Sequence, residues 1–132
     1  HTVVNKFCWQ AVQNLPLTVW KSFRNISRPY LDLKDLNSAI VFLIKKKFHN
    51  KTFNLVTENL TTIELINKIK KFLPNIKINS EQKTNLKPNS FNVSNKKISE
   101  FNFIFRGNIN ERIFDTISLL KNSNNIKIDK TI

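Results

Sequence analysis

The sequence predicts an α/β fold of short strands and amphipathic helices, and three observations lead there. Helical stripes of about 10 to 15 residues alternate with short β-branched and aromatic runs, the pattern of βαβ-type organisation. Hydrophobic residues make up 40% of the 132-residue chain, enough for a core in a chain of about one domain. No apolar run approaches the ~18 residues that a membrane span needs. The strong strands are too few for a whole doubly wound sheet.

Val3, Val4, Phe7, Cys8, Ala11 and Val12 form one stripe at helical spacing. Asn14 fits the end of that helix, because Asn tolerates the left-handed conformation. After Leu15-Pro16, the segment Leu17-Thr18-Val19-Trp20 reads as a short strand, and residues 21–27 read as a loop. Arg28 to Leu33 (RPYLDL) reads as a second strand, with Pro29 confining its start to an edge. A helix opens at Lys34 or Asp35 with Leu36, Ala39, Ile40, Leu43 and Ile44 inward, and Lys45 to Lys47 suit the negative end of its dipole. Thr52 to Val56 (TFNLV) is expected as a strand.

Thr61 and Glu64 make a capping box for a third helix, with Ile63, Ile66, Ile69 and Leu73 inward up to Pro74. Residues 76–79 (IKIN) read as a weak strand, and Ser80 to Asn89 as a polar surface loop. Phe91-Asn92-Val93 is a further strand candidate, and Ser94 can cap a short helix. Asn108 and Glu111 repeat the capping logic for a last helix with Ile109, Ile113, Phe114, Ile117 and Leu120 inward. Residues 122–132 are expected as a polar tail.

Several functions are excluded by what is missing. The one glycine, Gly107, rules out G-x-G-x-x-G and G-x-x-x-x-G-K-[ST] loops, which need backbone that approaches phosphate without a side chain in the way. Cys8 stands alone, so no internal disulfide forms, and with His1 and His49 as the only histidines no zinc spacing exists. The chain has no Met, and His1 is followed by apolar Val3, Val4 and Phe7 rather than a basic leader, so it is expected to be a fragment of a longer cytoplasmic protein. The net charge of +13 raises nucleic acid as a partner. Eighteen of the 22 basic residues are Lys, 20 residues are Asn, and the Lys are scattered except at 45–47, which is also what an AT-biased genome produces.

The pieces VNKFCWQAV, NLPLTVW, RPYLDLKDLNSAIVFLI, TFNLVTENLTTIELINKI, SFNVSNKKI and NINERIFDTISLL, in that order, resemble the C-terminal half of the extended short-chain dehydrogenases/reductases, the NAD-dependent nucleotide-sugar epimerase/dehydratase family. The resemblance covers nearly all of residues 2–121, and its most specific element is Arg28, Tyr30, Leu31, Leu33 and Asp35. It implies a Rossmann-type α/β enzyme of which this chain is the substrate-binding part, with residues 28–57 returning to the edge of the nucleotide-binding sheet and the remainder forming the substrate lobe. NAD and the Tyr-x-x-x-Lys catalytic pair would belong to the upstream half. Tyr30 and Lys34 have that spacing, but Tyr30 sits in a strand segment rather than on a helix, so no catalytic residue is assigned here.

Under the same resemblance, Arg28 contacts the substrate diphosphate, a task that suits a planar, permanently charged, bidentate fork. A surface ion pair of Arg28 with Asp32 or Asp35 is the alternative. Tyr30 lines the same pocket or packs in the core. Thr18 and Trp20 share the strand face on which the nucleotide base rests, or Trp20 is core. The second diphosphate contact falls to Lys87, with Lys83 the other candidate, where relatives carry Arg. Asn14 and Asn102 stand where relatives commonly carry Gly, and Pro29 replaces the family's Asp, which leaves the sugar open.

The expected partners are therefore a nucleotide diphospho-sugar and the upstream half of the same protein, with a homodimer of the intact enzyme; no membrane is expected, and nucleic acid is disfavoured. Two alternatives stand beside this reading: a non-enzymatic basic module for nucleic acid or anionic surfaces, supported by the charge and the Phe-rich segment 90–106, and an inactive gene remnant.

Overall fold

The computed structural model describes residues 2–82 and 89–125. Helix α1 (Val3–Val12) leads to strand β1 (Leu17–Trp20), a 3-10 turn (Lys21–Phe23) and β2 (Ser27–Tyr30). Then come α2 (Leu33–Lys46), β3 (Glu58–Thr61), α3 (Thr62–Lys70), β4 (Ile78–Glu81), α4 (Lys96–Ser99) and α5 (Ile109–Asn125). Two small sheets result. β1 pairs in parallel with β4, Leu17 opposite Ile78, and β2 pairs antiparallel with β3, Ser27 opposite Thr61. Pro29 lies opposite Asn59 in a strand paired on one side only, where its missing N–H costs least.

The larger core lies beneath β1, where α1, α3 and α5 pack together. Phe7, Cys8, Leu17, Leu65, Ile66, Ile69 and Ile113 are buried in it. A second cluster is centred on Ala39, Ile98 and Phe103 between α2 and α4. The Thr61–Glu64 box forms, with Thr61 Oγ1 accepting from the Glu64 N–H and Glu64 Oε2 from the Thr61 N–H, whereas Asn108 caps α5 by accepting from the Asn110 N–H and gives its own N–H to Asp32 rather than to Glu111. Asn14 and Asn102 are left-handed, at φ 56° and 64°.

Several strand expectations are corrected. β2 ends at Tyr30, because Asp32 turns to cap α2 by accepting from the Lys34 N–H at 2.8 Å. Residues 52–56 form no strand, nor do Phe91 to Val93. Side chains take the place of a ladder in both. The Asn95 amide accepts from the Val56 N–H and donates to its carbonyl, and the Asn59 amide does the same for Val93. An amide carries a donor and an acceptor side by side, so it mimics one residue of a neighbouring strand. Strand β3 matches none of the expected strands, and β4 begins two residues later than IKIN suggests. Helix α5 continues to Asn125, four residues into the segment expected as tail. On α2, Ile40 and Ile44 face solvent rather than the core, and on α5 so does Phe114.

Candidate functional site

Along β1 the pleat sends Leu17 and Val19 into the core and leaves Thr18 and Trp20 half-buried on the other face. Trp20 is thus not a core residue; its ring meets Phe23 edge-on at 5.2 Å. On β2, Arg28 is half-buried, and its Nη1 donates to the carbonyls of Ser27 (3.0 Å) and Asn89. Its guanidinium lies 5.0 Å from the centre of the Phe91 ring. The segment carrying Asn89 is strapped onto β2 by the Ser27 N–H to Ser90 Oγ bond (3.0 Å) and the Ser27 Oγ–H to Asn92 Oδ1 bond (2.6 Å).

The ion pair of Arg28 with Asp32 or Asp35 does not form, because both carboxylates are filled from elsewhere. Asp32 Oδ2 accepts from the Asn108 N–H at 2.9 Å. Asp35 Oδ1 accepts from the N–H groups of Arg106 and Gly107, each at 2.8 Å, and Asp35 Oδ2 accepts from the Thr57 hydroxyl at 2.6 Å. Thr57 Oγ1 in turn accepts from the Asp32 N–H. Both aspartates are almost fully buried. Gly107 is required for close approach rather than for its dihedrals: a Cβ there would collide with the Asp35 carboxylate and Asp32 Cβ. Burying two carboxylates is tolerable only because this many donors surround them.

Arg28 therefore has carbonyl partners and no carboxylate among the described residues. It borders a cleft of about 740 Å3 that it shares with Tyr30, Asp32, Arg112, Asp115 and Thr116. Burial pushes the Tyr30 phenol above its usual range, and the Arg28 charge opposes the shift. Arg112, which sequence reasoning did not single out, is engaged by Asp115 at 3.0 Å, by Asp32 at 3.4 Å and by Glu111 at 3.5 Å. Its spacing of three residues before Asp115 on one helix was the available signal. Of the predicted site residues, the fold brings Arg28 and Tyr30 to one cleft; Thr18 and Trp20 do not line it. Lys87 and Lys83 lie outside the described residues.

No family model matches the chain, and no curated protein is significantly similar to it. Solved structures are. RMD from Pseudomonas aeruginosa, solved with NADPH, superposes with a TM-score of 0.78 at 17% identity over 92% of this chain and 43% of that one. The chain has the mixed α/β fold of one part of the extended short-chain dehydrogenase/reductase structures. An epimerase-like protein from Burkholderia cenocepacia J2315 gives 0.76 at 16% identity, over 92% of this chain and 41% of that one. UDP-N-acetylglucosamine 4-epimerase from Bacillus cereus gives 0.68 at 22%, over 92% and 43%. The chain thus spans less than half the length of these extended short-chain dehydrogenase/reductase structures. Among the described residues the arrangement does not suit a dinucleotide: the one glycine is packed against Asp32 and Asp35, so it bares no backbone to a pyrophosphate.

Proposed function

We propose that this chain is the substrate-binding part of a nicotinamide-dependent sugar-nucleotide epimerase or dehydratase, in which Arg28 receives the diphosphate of a nucleotide diphospho-sugar. The observation that carries the reading is Arg28 itself, a half-buried guanidinium beside a cleft with no carboxylate partner among the described residues. A partly desolvated guanidinium held by neutral carbonyls and a ring, with no charge to balance it, suits an anion. Tyr30 lines the same cleft, and the outer face of β1, with Thr18 and Trp20, offers a hydroxyl and an indole to a base. The NAD or NADP and the proton-transferring pair belong to the rest of the enzyme, and residues 28–57 pack on that other half.

The test is calorimetric titration of the chain with UDP-N-acetylglucosamine and, separately, with NADPH. Arg28→Lys keeps the charge and loses the fork, so sugar-nucleotide affinity falls roughly tenfold to a hundredfold, the ~1–3 kcal/mol of a hydrogen bond to a charged group. The wild-type chain alone neither binds NADPH nor oxidises it. Unchanged affinity in Arg28→Lys, or no sugar-nucleotide binding at all, overturns the assignment.

A further inference from the structure

The lysines that look scattered along the sequence are gathered by the fold. Three of them, from α2, from the loop after it and from α4, converge on one phenylalanine cluster. The Phe48 ring lies 5.2 Å from Phe53, 4.7 Å from Phe101 and 6.2 Å from Phe42. The Lys51 ammonium stands 4.5 Å from the Phe101 centroid and 5.2 Å from that of Phe48. The Lys97 ammonium lies 5.4 Å from Phe53, and that of Lys46 lies 5.8 Å from Phe42. None of the three is paired with a carboxylate among the described residues, where the lysine ion pair is Lys68 with Glu58. Lys45, Lys47 and Lys96 adjoin them in sequence and are exposed; Glu100, beside Phe101, is the one nearby acid in sequence.

We propose that the surface made by Lys46, Lys51 and Lys97 over Phe42, Phe48, Phe53 and Phe101 binds single-stranded nucleic acid. Phosphates draw the ammonium groups, and each lysine that turns to a phosphate uncovers a phenyl face on which a base stacks, so one cation–π contact is exchanged for a stack and an ionic contact. Repeated cations interleaved with aromatic faces suit a polymer that alternates phosphate and base. An anionic bilayer fits less well, because none of these four rings is among the exposed large side chains and so none projects for insertion. The surface lies on elements other than β2, and its Phe42 and Phe53 belong to the cluster on the Ile98 side of α2, not to the exposed Leu33, Ile40, Val41 and Ile44 stripe that would seat on the other half, so it can be tested separately from Arg28.

The test is fluorescence anisotropy of the 132-residue chain with a labelled oligo-dT of about 20 nucleotides across a salt series. Replacing all three lysines (K46Q, K51Q and K97Q together) flattens the slope of log affinity against log salt by about 2, at ~0.7 for each phosphate no longer neutralised. A control of equal charge change on other elements, K6Q with K77Q and K121Q, flattens it by less than half as much. Phe48→Leu keeps every charge and weakens binding about tenfold with the slope unchanged. Equal losses in the two triple variants would mean diffuse charge and overturn the proposal. So would capture of the chain by phosphatidylserine vesicles with the oligonucleotide ignored.

Discussion

The two apolar clusters of this chain are built from similar residues and end up very differently. Around β1, the helices α1, α3 and α5 each turn an apolar stripe toward the others, and Leu65, Ile69 and Ile113 are sealed from water. Around α2, one face packs on Ile98 and Phe103 while Leu33 and Ile44 remain 69% and 71% exposed, with Ile40 and Val41 about half exposed. The first region seals a core of its own, although Trp9, Phe114 and Leu119 stay exposed on its outer side. The second carries half of one, since a surface helix of a finished domain has a single apolar stripe and α2 has two. The proposed seating of residues 28–57 on another half of the enzyme accounts for the second stripe, and four exposed apolar side chains on one helix are an association hazard when nothing covers them.

Substitutions in the two regions should therefore diverge. Leu65→Ala removes a fully buried side chain from the self-contained core, and urea unfolding should show a loss of ~2–5 kcal/mol. Gly107→Ala, where the two regions meet, should cost ~1–3 kcal/mol by the same measurement, because the added methyl must displace the Asp35 carboxylate. A cost no greater than that of an exposed Ala would mean the clamp is slack. Ile44→Gln should change unfolding by less than ~0.5 kcal/mol yet reduce self-association in sedimentation velocity. A monomeric wild type with a concentration-independent melt would show that α2 needs no cover, which ends the comparison.

One effect appears only at alkaline pH. Burial raises the Cys8 thiol from 9.0 to about 11, so the folded chain holds that proton where the unfolded chain releases it. Stability from this source is complete below pH 9 and is lost as pH rises from 9 toward 11. The alkaline slope of the melting temperature should flatten in Cys8→Ala, whatever that variant's stability at neutral pH.

The sequence made the helices legible because their signals are local. The Thr61 and Glu64 box, the left-handed Asn14 and Asn102 and the stripe of α5 all lie within a few residues of what they control. Strands are less legible. Thr52 to Val56 has the side chains of a strand, but a strand exists only when a partner backbone is beside it, and here Asn95 supplies that partner from 39 residues away. The resemblance located Arg28 and Tyr30, and the cleft they share needed coordinates. Asp35 was legible as a helix opener and as a piece of the resemblance, and Asp32 as a strand residue or a partner for Arg28, but their joint clamp around Gly107 was not. The segment 90–106 showed Lys97 and Phe101 among its aromatics and cations, but their gathering with Lys46 and Lys51 was not legible, since it depends on how α2 meets α4.

The Asp32 and Asp35 clamp also sets an order of events during synthesis. Its bonds to Arg106, Gly107 and Asn108 join residues 71, 72 and 76 positions apart. At ~5–20 residues per second, a ribosome needs roughly 4 to 15 s to make the second side of the clamp after the first. Until then the two carboxylates lack the N–H donors of residues 106–108, and burying them without those donors is costly. Burial of that end of α2 is thereby tied to the arrival of residues 106–108.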